Sequence, residues 1–213
     1  GDRAMSVALV WATPDAERLI ADIARVSSPE RQGQDPYRLI EWLLRCKHWS
    51  PFEMASMCVE IETSRAVGRQ ILRHRSFQFQ EFSQRWSSAS KLGRMAPPAC
   101  RMQNPESRAL PTECDDAALA GWWNAVVLKV DCIARQHYEE ALEKGVSREV
   151  ARALLPEGLT PTRMYMAGTF RSWIHYLLLR LQLDTQAEHR AVAEDISVIF
   201  SAVAPTVWRA ACS

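Results

Sequence analysis

The common signatures of nucleotide and hydrolytic enzymes are missing from this chain of 213 residues. It has no GxGxxG turn, no P-loop, no GxSxG elbow and no HExxH pair. Charge of one sign is not in excess either: 26 Lys and Arg face 25 Asp and Glu, for a net charge of +1. A sequence-independent nucleic-acid binder is usually more basic, so no nucleic-acid partner is expected. Any phosphate binding has to come from a local arginine cluster rather than a global field. The six cysteines, at 46, 58, 100, 114, 132 and 212, form no CxxC pair, so no metal site is assigned, and they offer no evident nucleophile. Neither a signal peptide nor an apolar run approaching membrane-spanning length stands out. The expectation is a cytoplasmic protein with reduced thiols and no membrane partner. Gly1–Ala4, ahead of Met5, are set aside as an expected cloning remnant.

What is present suits one globular domain over residues 5–213, with 47% hydrophobic residues. Ser6–Ala12 reads as a strand, and Thr13-Pro14-Asp15 as the start of a helix with Leu19, Ile20, Ile23 and Ala24 on its inner face. Asp35-Pro36 opens a second helix carrying Leu39, Ile40, Leu43 and Leu44, which His48-Trp49-Ser50-Pro51 breaks. Met57, Val59 and Ile61 alternate with Cys58, Glu60 and Glu62, the pattern of a half-buried strand. Thr63 or Ser64 then caps a helix to about Arg73, with Ala66, Val67 and Ile71 inside and Arg69, Gln70 and Arg73 sharing another side. Ser87 to about Thr112 reads as a long loop. The longest helix is expected from Asp115 to Lys144, its inner side formed by Trp122, Val126, Val130, Ile133, His137 and Leu142. Ser147 is expected to cap a short helix stopped by Pro156, a further helix to run from about Thr162 to Leu181, and Thr185-x-x-Glu188 to cap the last one before Pro205. Early strands, many helices and no βαβ alternation make the fold class α+β.

Arg73-His74-Arg75, followed by Phe77, Gln78, Phe79, Gln80, Glu81, Phe82, Ser83, Gln84, Arg85 and Trp86, concentrates cations and aromatics. A protein core does not take such a triplet without partners, and an ordinary surface has no use for the aromatics. Guanidinium groups hold phosphate or carboxylate at two points. A salt-bridge cluster at a solvated helix end is the plain alternative, but the added Gln, Glu and Ser residues favour a site for a flat anionic ligand. Arg148-Glu149-Val150-Ala151-Arg152, Arg171, and Arg180 with Gln186, Glu188 and Arg190 form a second, weaker group, for which ion pairing with Glu149, Glu188 or Glu194 is the ordinary explanation. His48 to Glu53 is a turn that either lines a pocket or only connects helix to strand.

The spacing Arg73-His74-Arg75, seven residues, Ser83 resembles the signature of the flavin-dependent thymidylate synthases. The likeness extends through Ala24-Arg25-Val26-Ser27, Ser50-Pro51-Phe52-Glu53, Gln70, Glu81-x-Ser83-x-Arg85, Arg148-Glu149-Val150-Ala151-Arg152 with Leu155-Pro156, Leu179-Arg180 and Gln186-x-Glu188. The resemblance implies the thymidylate synthase-complementing fold, a small sheet with several helices, assembled as a homotetramer whose subunits share active sites. It implies FAD as cofactor, with NADPH and methylenetetrahydrofolate as co-substrates, and C5 of a uridine 5′-monophosphate as methyl acceptor. Carried over, Ser50, Glu53, Arg73, His74, Arg75, Ser76, Glu81, Arg171 and His175 would lie at the flavin. Gln70, Arg73, Glu81, Phe82, Ser83, Gln84, Arg85, Arg152 and Arg180 would hold the nucleotide. Arg180 would be catalytic, stabilising the enolate-like charge as C5 becomes nucleophilic.

The chain leaves the family pattern at Gln78, Gln80, Trp86, His175 and Asp184. Those departures suggest a specialised relative that methylates UMP as well as, or instead of, dUMP, like the uridylate methylases of polyoxin-type nucleoside-antibiotic biosynthesis. A housekeeping conversion of dUMP to dTMP is the first alternative, and a non-catalytic nucleotide- or flavin-binding regulator the second. An RNA uracil methylase is the weakest reading, because no basic stripe accompanies the site.

Overall fold

The computed structural model of the protein describes residues 5–108 and 110–213. Gly1–Ala4, the expected remnant, lie outside the described residues. Strands β1 (Ser6–Ala12), β2 (Ser56–Ser64), β3 (Gln78–Glu81) and β6 (Pro161–Thr169) form one antiparallel sheet in the order β1-β2-β6-β3. A second, two-stranded unit pairs β4 (Arg101–Met102) with β5 (Thr112–Glu113). The helices are α1 (Ala16–Ala24), α2 (Tyr37–Arg45), α3 (Arg65–Ile71), α4 (Ala117–Glu143), α5 (Arg148–Ala151), α6 (Phe170–Arg180), α7 (Ala187–Val203) and α8 (Pro205–Ala211). The fold is α+β, as expected.

The core lies between the sheet and the C-terminal helices. Met57, Val59 and Ile61 of β2 and Met164 and Met166 of β6 meet Phe170, Trp173 and Leu177 of α6 and Ile196 and Phe200 of α7. Burying a side chain of this size stabilises the fold by about 1.5–3 kcal/mol. Trp173 Nε1 donates to the Met57 carbonyl at 3.1 Å, so the largest buried ring leaves no polar atom unpaired. A smaller cluster, Ala89, Tyr138, Ala151 and Leu155, anchors α4 and α5.

The largest correction concerns residues 162–181, expected as one helix. Pro161–Thr169 is a strand and only Phe170–Arg180 is helical. The strand is the inner partner of both β2 and β3, with Thr162, Met164, Met166 and Gly168 buried and Arg163 and Tyr165 exposed. That is a period of two, and the apolar helical run of α6 follows it with no proline to mark the boundary. Thr169 ends the strand by accepting from Ser172 N at 3.3 Å, which caps α6. Gly168 is required by packing: a Cβ there would sit 2.4 Å from Phe77 Cδ1.

Helix ends and faces differ in smaller ways. Thr13 is not a cap; its hydroxyl accepts from Ser56 N and donates to Ser56 O, fastening the end of β1 to β2. In α1 the buried residues are Ala16, Ile20 and Ala21, whereas Leu19 and Ile23 are exposed. Ser64 caps α3 as expected, accepting from Val67 N. Ser147 makes no side-chain cap bond, and α5 tightens into a 3-10 turn at Arg152–Leu154. Thr185 is not a cap for α7; its hydroxyl donates to Leu179 O, and Gln186 stands at the helix start. Pro205 opens the additional helix α8.

α4 buries Val127, Asp131 and Tyr138, while Trp122, Val130, Ile133 and His137 of the expected inner side are exposed. By length and composition it is apolar enough to cross a membrane, which corrects the expectation that no run approaches that size. Asp131 lies in its middle, held by Arg135 Nε at 2.8 Å.

Candidate active site

Hydrogen bonds sort the expected site residues into three groups. The first joins α3, α6 and α7. Arg180, at the end of α6, donates through Nε to His74 Nε2 at 3.0 Å. His74 therefore carries its proton on Nδ1 when neutral. Burial, then the Arg180 and Arg73 charges, lower its pKa to about 4. Beside it, the Tyr176 hydroxyl lies 3.1 Å from His189 Nε2, and His189 Nδ1 lies 3.2 Å from Gln70 Oε1. Because Gln70 Oε1 only accepts, His189 Nδ1 donates and Nε2 takes the Tyr176 proton. The chain continues one way: Gln70 Nε2 donates to Gln186 Oε1 at 2.6 Å, and Gln186 Nε2 to Glu188 Oε2 at 2.8 Å. It ends where Arg101 of β4 donates to Glu188 Oε1 at 2.6 Å. Every amide orientation along it is set by its neighbours.

Burial disfavours charge throughout this group. His189 is 0% exposed, and burial, with Arg180 and His74 nearby, lowers its pKa to about 4. Burial pushes the Tyr176 hydroxyl up, against a smaller opposing pull from Arg180. At Glu188 burial works toward the neutral acid, but the bonds from Gln186 and Arg101 outweigh it and hold the carboxyl below its ordinary value. At neutral pH Arg180 is a cation facing neutral rings, and the outer end of the chain is the ion pair of Glu188 with Arg101.

The second group surrounds a cavity of about 420 Å³ lined by Arg65, Arg69, Gln84, Glu149, Arg152 and Glu157, among others. Arg85 Nε donates to Glu149 Oε2 at 3.0 Å and Arg152 Nε to the Glu149 carbonyl at 3.3 Å. Glu81 accepts from Thr162 at 2.7 Å and from Arg65 at 3.4 Å. Gln84 is 4% exposed, yet its Nε2 has no hydrogen-bond partner. A buried donor left open beside three guanidinium groups suits an anion with several acceptor oxygens. Phe82 is half-buried and donates its backbone N–H to Arg163 O, and Ser83 is exposed next to it.

The third group lies at the start of α6 and the 3-10 turn Ser50–Glu53. Arg171 donates to Glu53 at 2.6 Å. His175 stacks on Trp49 with ring centroids 4.5 Å apart, and burial, then Arg171, lowers its pKa. Ser76 offers its carbonyl to the Ser172 hydroxyl at 3.2 Å. Ser50, Arg73 and Arg75 are exposed. Thus His74 meets Arg180 and Arg85 shares Glu149 with Arg152; among the described residues no side-chain hydrogen bond joins the three groups, although the Arg73 backbone N–H donates to the Gln70 carbonyl of the first group at 3.3 Å. Arg101, Tyr176 and His189 were missed by sequence reasoning; only the position of His189 directly after Glu188 hinted at it.

A cavity lined by arginines and a glutamine, and apart from it an aromatic wall with one cation, on a small antiparallel sheet clasped by helices, suit an anionic, planar ligand. Comparison with known proteins says which kind. Residues 8–206 match the family described as thymidylate synthase complementing protein. The flavin-dependent thymidylate synthase of Synechocystis sp. is 44% identical over 191 residues, covering 90% of this chain and 87% of that protein. A probable flavin-dependent thymidylate synthase of Paramecium bursaria Chlorella virus 1 is 43% identical over 199 residues, covering 92% and 90%. The structure of the UMP/dUMP methylase PolB from Streptomyces cacaoi bound with 5-Br dUMP superposes with a TM-score of 0.83 at 26% identity, over 97% of this chain and 94% of that one. The chain belongs to the flavin-dependent thymidylate synthase family and is an enzyme of uridylate C5 methylation.

Proposed function

We propose that this enzyme converts dUMP to dTMP, taking the one-carbon unit from methylenetetrahydrofolate and reducing equivalents from NADPH through bound FAD. The observation that carries the reading is the Arg180–His74 bond, which holds a permanently charged guanidinium against a neutral ring at the junction of α3 and α6. Developing negative charge on the uracil carbonyls is stabilised by a cation already in place, and such preorganisation needs no rearrangement during reaction. His74 orients Arg180 and supplies no proton at neutral pH. Reduced flavin supplies hydride when bound, which removes the need for a cysteine nucleophile. Phosphate would sit against Gln84, Arg85 and Arg152, where the open Gln84 donor fits it. Glu53, Arg171, His175 and Trp49 offer the flavin an aromatic wall with one cation and one acceptor.

The separation of these groups in one chain supports a homotetramer with shared active sites. The exposed apolar side of α4, with Trp122, Val130 and Ile133, is the surface offered for that assembly. The deoxyribonucleotide is placed first because the identities to thymidylate synthases, 44% and 43%, exceed the 26% to PolB at similar coverage. PolB was also solved with 5-Br UMP, at a TM-score of 0.84, and this favours UMP as the second substrate. Gln78, Gln80, Trp86, His175 and Asp184, the residues behind the specialised reading, are all exposed on this chain. Purified enzyme supplied with an equal mixture of dUMP and UMP, together with FAD, NADPH and methylenetetrahydrofolate, tests the order. Preferential dTMP formation is expected; 5-methyl-UMP as the dominant product would reverse it.

A further inference from the structure

The β4–β5 hairpin brings two of the six cysteines face to face. Its antiparallel register pairs Arg101 with Glu113 and Met102 with Thr112. One step further from the turn, the same register sets Cys100 opposite Cys114. Facing Cα atoms in an antiparallel pair lie about 4.5 or 5.5 Å apart, and both spacings lie within the range a disulfide takes. Residues directly opposite in such a pair project their side chains on the same face, with Cβ atoms about 4.5–5.5 Å apart, and the Cys114 thiol donates to the Asp116 carbonyl at 3.5 Å. Both are free and half-buried, and both line a cavity of about 470 Å³ beside Arg101. No other two cysteines face each other in a strand register among the described residues: Cys58, buried in β2, stands opposite Trp11 and Ala167, and Cys46, Cys132 and Cys212 are exposed.

The hairpin is also the outer anchor of the hydrogen-bonded chain at the active site, because Arg101 follows Cys100 directly and holds Glu188. Two-residue strands are marginal alone, so how firmly Arg101 stays at Glu188 depends on what closes the hairpin base. We propose that Cys100 and Cys114 form a reversible intramolecular disulfide, by exchange with a low-molecular-weight disulfide, which locks the hairpin that carries Arg101. One cysteine thiolate attacks the external disulfide, giving a mixed disulfide and one external thiolate. The second cysteine thiolate attacks the protein sulfur of that mixed disulfide and expels the other external thiolate. The protein pair loses two electrons and two protons, and the external disulfide takes them up as two thiols. The bridge closes a ring over residues 100–114 and restricts the opened hairpin far more than the folded one.

The test uses the full chain, reduced and then equilibrated in glutathione buffers of rising disulfide content, blocked with iodoacetamide and mapped by peptide mass spectrometry. The expected result is loss of two alkylatable thiols per chain, at Cys100 and Cys114, in one linked peptide that dithiothreitol separates. Cys100→Ser and Cys114→Ser each abolish the link, and the triple variant Cys46→Ser, Cys132→Ser, Cys212→Ser retains it. Hydrogen exchange at the Arg101 and Glu113 amides slows on oxidation. Alkylation of both thiols at every buffer ratio, separate glutathione adducts on each, or a bridge between two chains would overturn the disulfide. A link that leaves hairpin exchange unchanged would overturn the lock.

Discussion

Lowering the pH from 6.5 toward 4.5 should destabilise this protein before its carboxylates titrate. His189 is fully buried, with both ring nitrogens committed to Tyr176 and Gln70, and its pKa falls to about 4 from an ordinary 6.5. Unfolding exposes the ring, which then binds a proton that the folded state refuses. Between those values the unfolded chain carries more protons, so stability is full above 6.5 and is lost as pH falls toward 4. Each pKa unit corresponds to about 1.4 kcal/mol, so His189 alone loses roughly 3 kcal/mol over the whole window. His74, also lowered to about 4, and His175 shift in the same direction and add to the slope, with part of their contribution screened by solvent. Glu188 is held below the usual carboxylate range, so its own loss falls at lower pH. The assay is urea unfolding followed by far-UV circular dichroism at half-unit steps of pH. His189→Leu should flatten the slope, although it leaves Tyr176 and Gln70 without their partner and lowers stability at neutral pH. A wild-type stability that is flat from 6.5 to 4.5, or an unaltered slope in His189→Leu, would refute the reasoning.

Arg180→Lys keeps a charge but loses the planar guanidinium that bonds His74, and should lower kcat by about a hundredfold or more with flavin still bound, read by methyl-product formation and absorbance. Arg152→Gln and Gln84→Leu, at the cavity with the open donor, should each raise KM for the nucleotide about tenfold or more with a smaller change in kcat, measured in steady-state assays. Gly168→Ala should cost about 1–3 kcal/mol, seen as a lowered Tm, because the new Cβ meets the buried Phe77 ring.

Alternation at Met57, Val59 and Ile61 made β2 legible, and the Pro-broken turn at Ser50-Pro51 located the end of α2. The same alternation at Thr162, Met164 and Met166 is masked by the helical run from Phe170, which follows it with only Ala167, Gly168 and Thr169 between. The α4 face could not be chosen correctly: apolar residues surround much of that helix, and its inner contacts are made by Asp131 and Tyr138. Within the site, the arginine triplet and its spacing were visible as a local pattern. The bond from His74 to Arg180 spans 106 residues of sequence and the contact from His189 to Gln70 spans 119, and neither leaves a periodic trace. Only the sheet and the packing of α6 on α7 bring those side chains together.

The central claim, flavin-dependent C5 methylation of dUMP, is tested most directly by product analysis. Purified protein is incubated with dUMP, FAD, NADPH and methylenetetrahydrofolate, and with each component omitted in turn, and the nucleotide is identified by mass spectrometry. The account predicts dTMP in the complete mixture and none without flavin, folate or reductant. Unchanged dUMP from protein that binds FAD and oxidises NADPH would contradict it.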